Sequence, residues 1–351
     1  MDTNLLDPRM VRGPAFGPGE WRNVEQALSR ERLRGHTILL DFWDYTCINC
    51  IRPLPYVTSW HERYAPYGLV TIGVHSPEFR FGRARAQVEA AIEEYGIRYP
   101  VLLDNEYQTW DRFATRAWPT KILIDAAGYV RYRVEGEGHY ARTEEAIQAA
   151  LHLHNPEASF PPIMDPLRPE DEPGAVCYRT TPELYAGYER GSLGNRQGYA
   201  AQGPIVYELP RAAQRVEPFF YAGGIWRAGP ESFAFAGQEA GRILLPYHAV
   251  GVNAVLSPSA DPVEVALHLR PQGVEPRVEV FQDGAPLTPE NAGAGILYDD
   301  GGISYVLVER PQMVELVRNP GFGHHELELI FRANGLALYA FTFTSCVTES
   351  R

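Results

Sequence analysis

The sequence predicts two folded parts in series: an α/β domain with a central mixed sheet and helices on both faces, then an all-β sandwich of jelly-roll type. Three observations carry this. Strand-like and helix-like stretches alternate through residues 1–155, a proline-rich segment spans 156–174, and only strand-like stretches occupy 175–351. A chain of 351 residues is too long for one small core and suits two domains of ordinary size.

In chain order, Thr37–Trp43 (TILLDFW) is a near-continuous apolar run, the pattern of a strand buried on both faces. Leu54, Val57, Trp60 and Tyr64 then recur at helical spacing, and residues 69–74 form a second buried strand. Val88, Ala91, Ile92 and Tyr95 mark one face of a helix that Gly96 ends. Residues 99–103 are short and extended. Residues 121–125 (KILID) form a strand that turns at Ala127-Gly128 into residues 129–134. A last helix is expected from Thr143 as N-cap, with Glu144 and Glu145 in its first turn, through Ile147 and Leu151.

Between residues 154 and 174 the texture changes. Prolines 156, 161, 162, 166, 169 and 173 and the acidic Glu170-Asp171-Glu172 read as a linker between domains. Beyond it, Val263, Val265, Leu267 and Leu269 alternate with Glu264, Ala266, His268 and Arg270 as a half-buried strand. Arg277–Gln282 runs into the hairpin signal Asp283-Gly284. Leu327, Leu329 and Phe331 lead to Asn334-Gly335, and residues 336–347 return. Alternating strands around such turns make an antiparallel sandwich.

Composition narrows the function. A net charge of −12 argues against a general nucleic-acid binder, because phosphate contacts need a basic surface. Lys121 is the sole lysine; every other basic residue is arginine. Residues 1–20 carry Asp2, Asp7, Arg9 and Arg12 and no apolar run, which excludes a signal peptide there, and no stretch is long enough to span a bilayer. A cytoplasmic location is the expectation from these features. Four cysteines in a chain this long are no disulfide scaffold.

Two of those cysteines form Cys47-Ile48-Asn49-Cys50. Zinc sites also use a CxxC, but they need a second ligand pair, and neither Cys177 nor Cys346 has a partner at ligand spacing. His324 and His325 are neighbours on a predicted strand, so they face opposite ways and cannot chelate together. Context favours redox chemistry. The pair follows a buried strand and opens a helix, where unpaired backbone N–H groups and the macrodipole favour an anion. That setting lowers a thiol's pKa from ~8.5 and makes Cys47 the nucleophile, with Cys50, one turn further in, as the resolving thiol. Neither a metal nor an organic cofactor is required; the redox-active group is the Cys47–Cys50 disulfide itself.

The run from Leu40 to Cys50, LDFWDYTCINC, resembles the active-site segment of the thioredoxin superfamily, and its TCINC preceded by DFW is similar to the TlpA-like branch. The layout, with a proline-rich connection to a carboxy-terminal sandwich, resembles the soluble region of the DipZ proteins, without their CcdA-like membrane carrier. The resemblance implies a thioredoxin-like fold for residues 1–155 and a sandwich like a carbohydrate-binding module for 175–351. It implies further roles. Asp41, six residues before Cys47, falls where thioredoxins bury an acid that accepts the resolving thiol's proton. Pro55 matches the proline that kinks the active-site helix, beside Pro53 in its first turn. Pro119, in Trp118-Pro119-Thr120, matches the cis-proline facing the cysteines, which leaves the Trp118 backbone free to pair with a substrate chain. Trp43, Tyr45 and Trp118 are expected to rim the site as an apolar landing surface, and Glu135-Gly136-Glu137-Gly138 to close the groove as a backbone wall.

Cys177 and Cys346 read as buried free thiols, and Trp226, Tyr185 and Tyr188 as packing residues more than a sugar-stacking platform. The function expected is thiol–disulfide exchange with protein or small-molecule disulfides and thiols, served by an electron donor or acceptor and involving no nucleic acid or membrane insertion. The DipZ resemblance keeps an extracytoplasmic location open. Two alternatives remain: a peroxiredoxin-like thiol peroxidase, whose TxxC is absent because Thr46 abuts Cys47, and a glycan- or protein-binding module with an incidental CxxC.

Overall fold

The computed structural model describes residues 5–200, 202–267 and 275–347. The chain divides into two compact units, Met1–Glu172 and Pro173–Arg351.

In the first unit, β1 (Glu20–Arg22), β2 (Thr37–Trp43), β3 (Leu69–His75), β4 (Val101–Leu103), β5 (Thr120–Ile124) and β6 (Val130–Glu135) form one sheet in the order β1-β4-β3-β2-β5-β6. β2 is central: it runs parallel to β3 and antiparallel to β5. The helices α1 (Ile48–Ile51), α2 (Leu54–Tyr64), α3 (Arg85–Glu94), α4 (Gln108–Arg112) and α5 (Tyr140–His154) complete the α/β unit. Every residue of β2 is buried, as its unbroken apolar run demands. Gly96, at φ +62°, follows α3 in the left-handed conformation that glycine tolerates. One boundary is corrected. α5 begins at Tyr140 and is preceded by His139, so Thr143 is not its cap: its hydroxyl bonds back to His139 O at 2.9 Å from inside the first turn.

Residues 156–172 pack along the first unit. Met164 N donates to Glu144 Oε2 (2.9 Å), Leu167 N to Tyr56 Oη (2.6 Å), and Gln148 Nε2 to Pro161 O (2.8 Å). These proline-rich residues lack regular secondary structure apart from a short 3₁₀ turn, Pro169–Asp171.

Among the described residues of the second unit the strands pair antiparallel, with parallel contact only in the isolated bridges Tyr185–Gly191 and Leu193–Phe220 and with short helical turns between. Its long strands Gly241–Ser257 and Gln312–Phe331 pair along most of their length. Gly241–Ser257 has a bulge between Ala249 and Gly251 in that pairing, and on its other edge it pairs with Tyr221–Ala228 in its first half and Ala337–Thr344 in its second, within one 11-stranded sheet. Trp226 is fully buried against Phe233, Phe235 and Phe331, so it belongs to the core. Asp283-Gly284, both at positive φ, turn the expected hairpin.

Two expectations fail here. Val263 and Val265 lie on a short helix, Pro262–Ala266, because Asp261 caps it through Val263 N (2.8 Å) and Pro262 occupies its first position; His268, Leu269 and Arg270, from the same expected strand, lie outside the described residues. Cys177 and Cys346 are not free thiols. They are direct partners across a two-stranded ribbon and form a disulfide.

Candidate active site

The site is built by the exit of β2. Asp44 is fully buried, and its Oδ1 accepts from Thr46 N (2.7 Å) and Thr46 Oγ1 (2.6 Å) while Oδ2 accepts from Glu78 N (3.1 Å). This side-chain turn bends the backbone so that Cys47, at φ −86° and ψ 109°, becomes the N-cap of α1. The Cys47 carbonyl then accepts from Cys50 N (2.9 Å) and Ile51 N (3.0 Å). α1 stops after four residues. Pro53 and Pro55 remove the amide donors that would have bonded the carbonyls of Asn49 and Ile51, and the helix resumes as α2.

The two thiols differ in access. Cys47 is half-buried and Cys50 is buried. Burial pushes the Cys50 thiol well above its usual range, with the adjacent Cys47 sulfur adding to the rise and Asp41 adding a smaller part. Such a thiol needs a base before it can attack.

Asp41 lies directly opposite Lys121 in the β2–β5 register, and Lys121 Nζ stands 3.3 Å from its Oδ1. Both side chains are at most 2% exposed, so this is an ion pair in the core of the sheet. Burial raises the Asp41 carboxyl, and the ammonium pulls it part of the way back. The sequence showed Lys121 only as the sole lysine; what makes it a neighbour of Asp41 is strand pairing.

Asp44 was not anticipated as a site residue either, although Asp-x-Thr before a cysteine is a recognisable side-chain turn signal. Behind it sits His75, fully buried, with Nε2 3.6 Å from Asp44 Oδ2. Burial drives the imidazole down to about 3, so His75 is neutral near physiological pH, and burial raises the Asp44 carboxyl despite its three hydrogen bonds.

The Trp118–Pro119 peptide is cis. Pro119 O accepts from Gly136 N at 2.7 Å, which brings the Glu135–Gly138 turn alongside it. Glu137 from that turn pairs with Arg52, just past the active-site helix (3.2 Å), and with Arg168 of the proline-rich segment (2.7 Å).

The expected aromatic rim is largely corrected. Trp43 is fully buried, edge-on to His75, and its indole fills the space above Gly73, where a Cβ would come within 3.0 Å of Nε1. Tyr45 is also buried, stacked on His75 with centroids 5.7 Å apart. Both sides of β2 are covered, so a ring at its end goes into the core whichever way it points. Trp118 alone of the three is part-exposed, held by Trp110 at 4.2 Å and by its Nε1 donating to Ser76 O (2.8 Å).

Among the described residues, the cluster of side chains able to converge on a metal ion lies in the second unit and includes neither Cys47 nor Cys50.

Residues 19–133 match the AhpC/TSA family, and residues 181–344 match a family described as thioredoxin-like C-terminal domain. The protein DipZ of Mycobacterium tuberculosis is 35% identical over 240 residues, which is 67% of this chain and 33% of DipZ. The thiol-disulfide oxidoreductase ResA of Bacillus subtilis is 27% identical over 124 residues, covering 35% of this chain and 64% of ResA. Among solved structures, a thiol:disulfide interchange protein DsbE from Chlorobium tepidum superposes with a TM-score of 0.36 at 22% identity, covering 40% of this chain and 96% of that one. The chain thus spans about a third of the length of DipZ.

Proposed function

We propose that the chain, whose residues 19–133 match the AhpC/TSA family, is a thiol–disulfide oxidoreductase working through Cys47 and Cys50. One observation carries the reading: a half-exposed cysteine at a helix N-cap, three residues from a buried cysteine whose thiol is raised, over a buried carboxyl. Cys47 thiolate attacks one sulfur of a partner disulfide, and the other sulfur leaves as a thiolate that takes up a proton. Asp41 accepts the Cys50 proton. Cys50 sulfur then attacks Cys47 Sγ, releases the second partner thiol and leaves the Cys47–Cys50 disulfide. Two electrons pass to the partner; one proton comes from Cys50, handed on by Asp41 to the second leaving thiolate, and the other comes from solvent, because Cys47 reacts as its thiolate.

Pro119 and the part-exposed Trp118 flank the approach in this reading and offer backbone and an apolar face to the partner chain. The occupants are protein or small-molecule disulfides and thiols. No described helix is long and apolar enough to cross a membrane. The Cys177–Cys346 bridge supports work in an oxidising, extracytoplasmic compartment over the cytoplasmic location expected from the sequence.

The test is insulin-disulfide reduction by the pre-reduced full chain. Cys47→Ser should abolish it, and Cys50→Ser should accumulate a mixed disulfide with the substrate, visible on a non-reducing gel. Equal trapping by both variants rejects the roles given to the two cysteines. Peroxide consumed faster than insulin disulfides would replace this reading with a peroxidase.

A further inference from the structure

Outside the cysteine site, one group of side chains in the sandwich has the composition of a metal-binding set. His248 and His324 are direct partners across the pairing of Gly241–Ser257 with Gln312–Phe331, so their side chains rise from the same face of the sheet. Their rings lie 5.2 Å apart. Glu217 reaches the same point from the chain before Tyr221–Ala228. Its Oε2 is hydrogen-bonded to His248 Nδ1, and its Oε1 lies 3.6 Å from His324 Nδ1. One ligand atom from each of the three residues lies within 4.8 Å of the other two.

We propose that Glu217, His248 and His324 form a binding site for a divalent transition-metal cation of the zinc type. Two imidazoles and one carboxylate are the donor set that zinc, copper, nickel and iron(II) favour over magnesium and calcium. Ligand bonds of about 2.1 Å at tetrahedral angles set donor atoms about 3.4 Å apart, so a pair at the 4.8 Å limit must close by about 1.4 Å. His324 supplies that freedom, because its side chain is 77% exposed while Glu217 and His248 are about one-quarter exposed.

The surroundings prepare the set. Thr181 Oγ1 donates to Glu217 Oε2 at 2.6 Å and accepts from His248 N at 2.9 Å, which fixes the carboxylate against the strand. Phe322 packs against the His248 ring with centroids 5.9 Å apart and is itself stacked by Tyr178. An oriented carboxylate and an aromatic wall are the outer supports that metal ligands use. Imidazole–carboxylate hydrogen bonding by itself needs only one of the two histidines. The second is placed by sheet register on the same carboxylate, and its exposure leaves the remaining coordination positions open to water or to a donor from a partner.

The experiment titrates tag-free full chain, with Cys47 and Cys50 oxidised so that free thiols do not compete, with zinc chloride in a calorimeter. The expected result is one zinc per chain, with affinity lowered at least tenfold in His324→Ala. That substitution sits on an exposed side chain, and circular dichroism checks its fold. Copper(II) is the second probe: its paramagnetic resonance spectrum should show coupling to two imidazole nitrogens in the wild type and one in His324→Ala. No zinc binding by the wild type, or equal zinc affinity and equal nitrogen coupling in the variant, overturns the site.

Discussion

Asp41 and Lys121 set the pH behaviour expected of the reaction. A carboxyl raised by burial keeps its proton to higher pH, and only its ionised form can take the proton of Cys50. The resolving step should therefore accelerate as pH rises through the Asp41 pKa. Asp41→Asn should slow it ~100-fold and flatten that rise, as read by stopped-flow decay of the mixed disulfide. Lys121→Met removes the opposing charge, so the rise should move to higher pH. The stability sign follows from the same shift. In the unfolded chain Asp41 ionises near ~3.9, before the folded one does, so its contribution is largest below that pH and is lost as pH rises through the folded value. Removing Lys121 widens this gap. Urea denaturation of Lys121→Met should show a loss approaching roughly 3–5 kcal/mol in the alkaline range, where Asp41 is forced to ionise unpaired, and a smaller loss in acid. Equal losses in acid and alkali would mean that the pair contributes through packing alone.

At the scale of elements, the proline-rich segment behaves as part of the first unit. Glu144 is buried, with Oε1 accepting from Tyr64 Oη at 2.6 Å and Oε2 from Met164 N at 2.9 Å. Tyr56 Oη accepts from Leu167 N and donates to Asp171 at 2.8 Å, and Arg168 links Asp171 to Glu137 beside Pro119. A chain ended after Pro161 removes the partners of Tyr56 Oη and Glu144 Oε2, whereas one ended after Glu172 keeps them. The shorter form should be less stable by about 2–4 kcal/mol in urea, the range for several buried hydrogen bonds left unmade. Identical midpoints would show that the segment rests on the surface without bearing on stability. Arg168→Ala tests the tie to the groove wall separately, by a change in insulin reduction with an unchanged rate on a small aromatic disulfide.

For the whole molecule, the Cys177–Cys346 bridge closes a loop spanning 169 positions, nearly the entire second unit. Cross-linking so long a loop restricts the unfolded chain by about 5 kcal/mol on the chain-entropy account. Cys177→Ala with Cys346→Ala should lower sandwich stability by several kcal/mol in denaturant while leaving Cys47 chemistry intact. A null effect would show that the unfolded sandwich stays compact without the bridge. The sandwich's role in the reaction is expected to be partner choice. The first unit ended after Glu172 should keep the midpoint potential of the Cys47/Cys50 couple and its rate on a small disulfide, and lose discrimination among folded protein substrates. An unchanged ranking over a protein panel would reject selection by the second unit.

Much of this protein was legible in its sequence because the signals are local. The buried run Thr37–Trp43, the CxxC behind it and the change from mixed to strand-only texture need no knowledge of distant residues. Short elements escaped: β1 and α4 have three and five residues, too few to show a period. In Pro262–Ala266 an alternating pattern mimicked a strand, although Asp261-Pro262 is a helix-start signal that could have corrected it. Other features belong to the tertiary structure because pairing across the chain creates them. Lys121 meets Asp41, His324 meets His248 and Cys346 meets Cys177 through strand register, which sets neighbours by hydrogen bonding between segments up to 169 positions apart. Trp43 and Tyr45 follow the same logic. Their aromatic character was plain, but whether a ring faces solvent depends on what covers the sheet, and here both sides are covered.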